Sequence, residues 1–214
     1  ILEKSENSGT GYPFEPVRGT AADLSMEEVR DILDDRWEKG GFRFNVAFED
    51  LIVTKDTAEK VSEYIRERIR EQLDDPELRE KLVPDDHYYG TKRPPLEEGY
   101  FEMFNRGDAS LVDVTETPIE RFTEDGIQTS AEHFDFDIVV FATGFDAFTG
   151  SITKMNVQGR NGLAIEEKWD DGPTTYLGVA AHKFPNLFMV TGPQSPSVLG
   201  NMPTTIEHTV EWIT

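Results

Sequence analysis

Two apolar runs end in the same pair of small residues. Residues 138–141, Ile-Val-Val-Phe, lead into Ala142-Thr143-Gly144, and residues 187–190, Leu-Phe-Met-Val, lead into Thr191-Gly192. In open α/β sheets, ligands lie outside the carboxyl ends of the strands. Side chains this small at that place let a flat cofactor come close to the backbone. A lone Ala-Thr-Gly would be read as an ordinary strand-to-loop turn; its recurrence favours a cofactor edge. Other chemistries are poorly provided for. His87, His133, His182 and His208 are scattered, with no His-Glu-x-x-His pair and no close ligand spacing, so no metal site is expected. The absence of cysteine removes disulfides, thiolate chemistry and cysteine-bound zinc. Gly9-Thr-Gly-Tyr-Pro-Phe14 begins like a dinucleotide glycine motif, but Phe14 holds the place of the third glycine and no strand precedes it. It reads as loop. There is no P-loop, and the serines between Gly192 and Gly200 form no nucleophile elbow.

The elements that would position these edges divide the chain in two. After an irregular start to residue 24, a helix is expected from Ser25, which with Glu28 makes a capping box, to the stop at Gly40-Gly41. A second helix carries Val61, Ile65, Ile69 and Leu73 on one face. A third opens at Asp75-Pro76 and ends before Pro84. From residue 86 the pattern changes to strands: residues 109–114, residues 118–130 folded back at Asp125-Gly126, and residues 136–144. Residues 186–192 make a further strand. A last helix follows, with Thr204 and Glu207 as its capping box. The pattern stops there without a C-cap, as a cut end would. The fold class expected is α/β, mostly helical first and then strands.

Charge bounds the partners. The 214 residues carry 42 acidic against 21 basic side chains, a net charge of −21. Nucleic acid is excluded as a partner, because binding it needs basic surface. An acidic surface of this size also suits a high-salt, halophilic setting, where repulsion is screened. No apolar run approaches the roughly 20 residues of a membrane span. The first residues lack the features of a signal peptide, and a cytoplasmic location is expected.

Residues 137–150, Asp-Ile-Val-Val-Phe-Ala-Thr-Gly-Phe-Asp-Ala-Phe-Thr-Gly, together with Trp169…Gly172-Pro173…Tyr176-Leu177-Gly178, Phe184-Pro-Asn-Leu-Phe188, Gly192-Pro193…Ser195-Pro196 and Ile206-Glu207…Val210-Glu-Trp212, closely resemble the C-terminal half of Baeyer–Villiger monooxygenases of the cyclohexanone and phenylacetone monooxygenase type. Upstream, Asp35-Arg-Trp-Glu-Lys-Gly-Gly-Phe-Arg-Phe44 and Gly90-Thr-Lys-Arg-Pro-Pro95 match the same family in order. The resemblance spans nearly the whole chain. It implies part of a flavoprotein with two dinucleotide-binding domains, using FAD and NADPH. In that family a flavin peroxide attacks a ketone, and one oxygen atom of O2 is inserted beside the carbonyl to give an ester or lactone. Arg93 matches the arginine that stabilises the negatively charged species; such a cation in a closed site is a strong catalytic device. Lys92 matches the lysine that meets the 2′-phosphate of NADPH. Thr143 and Gly144 match the turn against the flavin, Met202 a flavin-side contact, and Ser197, Val198 and Leu199 a loop lining the ketone pocket. Trp37, Trp169 and Asp146 read as structural.

The resemblance also implies boundaries. Residues 1–90 would be a helical insertion of the NADPH domain, 91–137 the return to that domain, and 138–214 the C-terminal portion of the FAD domain. Neither glycine fingerprint of the family is in the sequence, nor is its Phe-x-Gly-x-x-x-His-x-x-x-Trp signature; His208 and Trp212 lie four apart on a helix without the rest. The chain therefore reads as a portion expected to be inactive alone, with open strand edges that invite self-association. Two rival readings remain: a simple N- or S-oxygenating flavin monooxygenase, which has less need of Arg93, and a non-catalytic helical interaction module in residues 25–83.

Overall fold

A computed structural model describes residues 11–14, 19–195 and 200–214. Helix α1 spans Met26–Lys39 and α2 spans Lys55–Gln72. The capping box forms as expected: Ser25 Oγ accepts from Glu28 N, and the Glu28 carboxylate accepts from Ser25 N at 2.9 Å. Gly40 ends the helix at φ 62° and donates to Arg36 O and Trp37 O. A 3-10 turn at Gly41–Val46 then lays Phe44 and Val46 inward. Val29 and Leu33 of α1, Phe44, Phe48, Leu51, and Val61 and Tyr64 of α2 close one apolar core.

Helix α3, Pro76–Leu82, is capped by Asp75 and stops before Pro84. Ile69, Leu73, Val83 and Phe104 form a second core, and Ile65 packs on both. Val61, Ile69 and Leu73 are buried and Ile65 partly so, which is the face that the four-residue spacing predicts.

Strands β1 (Ile119–Phe122), β2 (Gly126–Thr129) and β3 (His133–Asp135) form an antiparallel meander in that order. The hairpin at Asp125-Gly126 is as expected. A third core gathers Ile165, Trp169, Ala181, Phe184 and Met189. It includes two short helices, α4 (Gly150–Thr153) packed on α5 (Ile165–Lys168), and an antiparallel pair, β4 (Ala180–Ala181) and β5 (Phe184–Phe188). Helix α6, Met202–Ile213, ends the chain.

Four expectations are corrected. Residues 109–114 form no ladder. Residues 138–144 are also outside any ladder, with Ile138 80%, Val140 81% and Phe141 68% exposed. Apolar residues on both faces mark a strand covered on both sides, and no described strand pairs with this one. The expected strand 186–192 is displaced: β5 begins at Phe184 and its ladder ends before Thr191-Gly192. The box at Thr204 and Glu207 does not form, because α6 begins earlier, with Asn201 as N-cap and Pro203 in the first turn, where proline lacks no needed donor. No described helix is long and apolar enough to cross a membrane.

Candidate functional site

The N-terminal segment is fixed by buried charge. Asp50, 6% exposed, accepts from Ala21 N at 3.1 Å and from Thr57 Oγ1 at 2.5 Å. Burial pushes this carboxyl up, but those hydrogen bonds outweigh it and hold Asp50 below its ordinary range. Lys60 Nζ donates to the carbonyls of Ala21, Ala22 and Leu24 at 3.0, 3.0 and 2.9 Å.

Gly11 and Tyr12 reach the opposite end of the chain. Asn201 Nδ2 donates to Gly11 O at 2.8 Å. Gly11 has φ +71°, and a Cβ there would stand 3.0 Å from Asn201 Cβ, so the contact needs glycine. The Tyr12 ring is buried, lies 5.5 Å from Phe42 and 5.7 Å from Phe14, and points its hydroxyl at Gly200 O, 3.4 Å away. Arg93 arrives from a third segment. Its Nη1 donates to the same Gly200 oxygen at 3.3 Å, and its guanidinium lies 5.0 Å from the centroid of the Phe42 ring. A cation over an aromatic face is attracted by the ring quadrupole.

The fold thus brings Arg93 to the start of α6, two residues before the half-buried Met202. A fixed positive charge beside a helix N-terminus can stabilise negative charge that develops nearby. Lys92 points elsewhere. It is exposed and paired with Asp86 at 3.2 Å. Hydrogen bonds from His87 and then Lys92 hold Asp86 down at about 2. An open groove beside this pair is lined by Glu59, Arg66, Asp86, His87, Tyr88 and Thr91. Thr143 and Gly144 lie on the exposed stretch; Gly144 has φ +81°, with open space where a Cβ would be. Ser197, Val198 and Leu199 lie outside the described residues. The loop before them is clamped: Thr175 Oγ1 donates to Pro193 O at 2.9 Å, and Gly178 packs against Ser195.

Asp146 pairs with Lys154 at 3.1 Å and its side chain lies against Gly150. Trp169 is buried in the third core and donates Nε1–H to Thr174 O, while Trp37 meets Phe44 and Tyr64 edge-on. One further cluster, Asp125, His133 and Asp135, lies exposed on the meander. Its carboxylates face opposite ring nitrogens, each at 3.4 Å. All three are exposed, and exposed acidic groups commonly cluster without holding an ion.

Gly11, Tyr12, Phe42 and Asn201 escape a reading of the sequence as site residues. Local pattern marks Gly11 and Tyr12 as loop, which is correct, but their partners lie 190 and 188 positions away. Phe42 shares the run at residues 35–44 with the family named above, and Asn201 closes the family-like stretch that opens at Gly192-Pro193.

No family model matches the chain. It is 42% identical over 210 residues to a cyclopentanone 1,2-monooxygenase of Comamonas sp., covering 97% of this chain and 38% of that protein. A Baeyer–Villiger monooxygenase of Pseudooceanicola batsensis is 38% identical, and a phenazine N-monooxygenase of Lysobacter antibioticus 41%; each alignment covers 100% of this chain and 39% of the relative. Among solved structures, an open form of cyclohexanone monooxygenase superposes with a TM-score of 0.89 at 39% identity, covering 99% of this chain and 41% of that one. A crystal structure of OTEMO in complex with FAD and NADP superposes with a TM-score of 0.90 at 33% identity, covering 99% and 40%. The chain spans about two fifths of the length of the curated relatives it matches. Along nearly all of its own length it is a homologue of the Baeyer–Villiger monooxygenases of the cyclohexanone monooxygenase type, corresponding to about 40% of their length.

Proposed function

We propose that the chain supplies the arginine-bearing portion of an FAD- and NADPH-dependent Baeyer–Villiger monooxygenase that inserts one oxygen atom of O2 beside a ketone carbonyl. The observation that carries this reading is Arg93, held over Phe42 and against Gly200 at the start of α6. A guanidinium is a planar cation whose fork can hold a developing oxyanion. Placed beside a carbonyl carbon under attack, it favours the anionic transition state over the neutral ketone.

The residues present fit a flavin edge. Thr143 and Gly144 leave backbone uncovered, and the space at Gly144 admits a flat ring. Met202 would give the flavin an apolar contact, and exposed Lys92 would meet the 2′-phosphate of NADPH after exchanging Asp86 for it. Ser197, Val198 and Leu199 would line the ketone pocket. When bound, the reduced flavin supplies the electrons and the oxygen activation. Pyrophosphate grip at glycine fingerprints is not encoded in this sequence, so we propose that the 214 residues alone turn over no substrate. Residues 1–137 would belong to the NADPH domain and 138–214 to the FAD domain, in a cytoplasmic enzyme.

The test is a chimera in which the matched 210 residues of the Comamonas cyclopentanone monooxygenase are exchanged for this chain. It is given FAD, NADPH, O2 and a panel of cyclic ketones. Ester or lactone formation is expected. A folded, flavin-loaded chimera that forms none would sink the proposal. N-oxygenation is the second reading, favoured by the 41% identity to a phenazine N-monooxygenase. An aromatic N-heterocycle in the same panel decides between them.

A further inference from the structure

Asn201 stands at a helix N-cap but does not cap. Asparagine is favoured there because its side-chain oxygen accepts from an amide of the first turn. In α6 no such bond is made. The amide instead donates to Gly11 O across 190 residues, at 2.8 Å and partly buried. Gly11 is the only kind of residue that admits this approach, having φ +71° and no Cβ to meet Asn201. The next residue on each side of this strap carries the support of Arg93. Tyr12 packs on Phe42, the ring under the guanidinium, and Gly200 offers the oxygen that Arg93 binds.

We infer that Asn201 is a positioning residue for Arg93, and that the Gly11–Asn201 strap sets where the guanidinium rests. The inference rests on the proposed role of Arg93. With its amide committed to Gly11, Asn201 ties the head of α6 to the N-terminal segment instead of capping the helix. Loosening it moves Gly200 and the Phe42 platform together. A displaced catalytic group loses rate without losing ground-state binding.

Asn201→Ser separates positioning from stability. Serine caps a helix as well as asparagine does, is neutral, and is too short to reach Gly11. In the chimera, the melting temperature is expected to stay within about 2 °C of the parent, while kcat falls about tenfold or more and the KM for NADPH is unchanged. In the 15N spectrum, the Arg93 side-chain N–H signal is expected to sharpen toward that of a mobile arginine. Gly11→Ala should move the same signal from the other side of the strap. An unchanged Arg93 signal in both variants would overturn the inference, as would a kcat that falls only in step with the melting temperature. A parent chimera without oxygenation would sink the reading of the chemistry and leave the Arg93 signal to decide the positioning.

Discussion

Tyr12 and Arg93 bond to one oxygen. The hydroxyl stands 3.4 Å and the guanidinium nitrogen 3.3 Å from the carbonyl oxygen of Gly200. A carbonyl has two lone pairs, and both are used here. The two donors lie 188 and 107 positions from their acceptor. Both distances are at the long end for hydrogen bonds. Each bond therefore contributes little stability, and their joint effect is to place three distant segments around the head of α6.

Arg93→Lys tests whether charge or shape matters at that place. Lysine keeps the positive charge but loses the planar fork that lies over Phe42 and reaches Gly200. Arg93 is exposed, so the change should alter stability by less than about 0.5 kcal/mol. Oxygenation by the chimera is expected to fall by about 10²-fold or more. Full activity in the lysine variant would mean that any local cation suffices.

Asp50 links pH to the N-terminal segment. Its folded pKa is depressed, so its contribution is present above the unfolded value of about 3.9 and is lost as pH falls below that toward the folded value. An asparagine side chain offers one oxygen in place of two, so only one of the donors, Ala21 N or Thr57 Oγ1, would keep its acceptor. Asp50→Asn is expected to cost about 1.5–3 kcal/mol at pH 7. Urea melts at pH 7 and pH 3 check this: the gap between variant and parent should shrink at the lower pH. A constant gap would show that charge plays no part.

Gly178 sits where a side chain cannot. Its φ is +70°, and a Cβ would fall 2.0 Å from Ser195 Cβ. Gly178→Ala must displace the loop that Thr175 holds at Pro193. A cost above about 2 kcal/mol is expected, or about 5 °C in melting temperature. A thermal melt showing no loss would mean that Ser195 is free to move.

Local physics made the helices legible. Ser25, Gly40, Asp75 and Pro84 act within a few residues of themselves, and the face from Val61 to Leu73 reports one core. The strands were less legible, because a ladder needs a neighbour. Residues 138–144 have a buried strand's composition, yet no described strand lies beside them. The site divides similarly. Arg93 and Met202 were found by family likeness, and Arg93 reaches Gly200, two residues before Met202, whereas Gly11 and Asn201 are joined by a contact that no local pattern encodes.

The uncovered stretch should make the isolated chain associate. Ile138, Val140 and Phe141 are 80, 81 and 68% exposed, and the Phe141 ring lies 5.2 Å from the half-exposed Phe122. Unpaired apolar edges template pairing with other chains. Sedimentation of the chain should show mass rising with concentration. Val140→Glu should suppress the rise and leave the helical circular dichroism unchanged, since the helices pack in separate cores. A monomeric parent at all concentrations would contradict this.

Salt should stabilise the chain. A net charge of −21 on 214 residues repels itself through every pair of acidic neighbours. Opposing this are surface ion pairs such as Lys39–Asp35 and Lys81–Glu116. Being solvent-exposed, each contributes little and is screened as well. With 42 acidic against 21 basic groups, the repulsive pairs outnumber the attractive ones, so screening is a net gain. Raising NaCl from about 0.1 M to 1 M cuts the screening length from about 10 Å to 3 Å. The melting temperature is expected to rise by about 4 °C or more, the equivalent of roughly 1–2 kcal/mol. Sulfate also strengthens apolar burial, so sodium chloride and sodium sulfate are compared at equal ionic strength. Equal rises mean that screening is the cause. A rise confined to sulfate would assign it to burial, and a fall in chloride would mean that the ion pairs outweigh the repulsion.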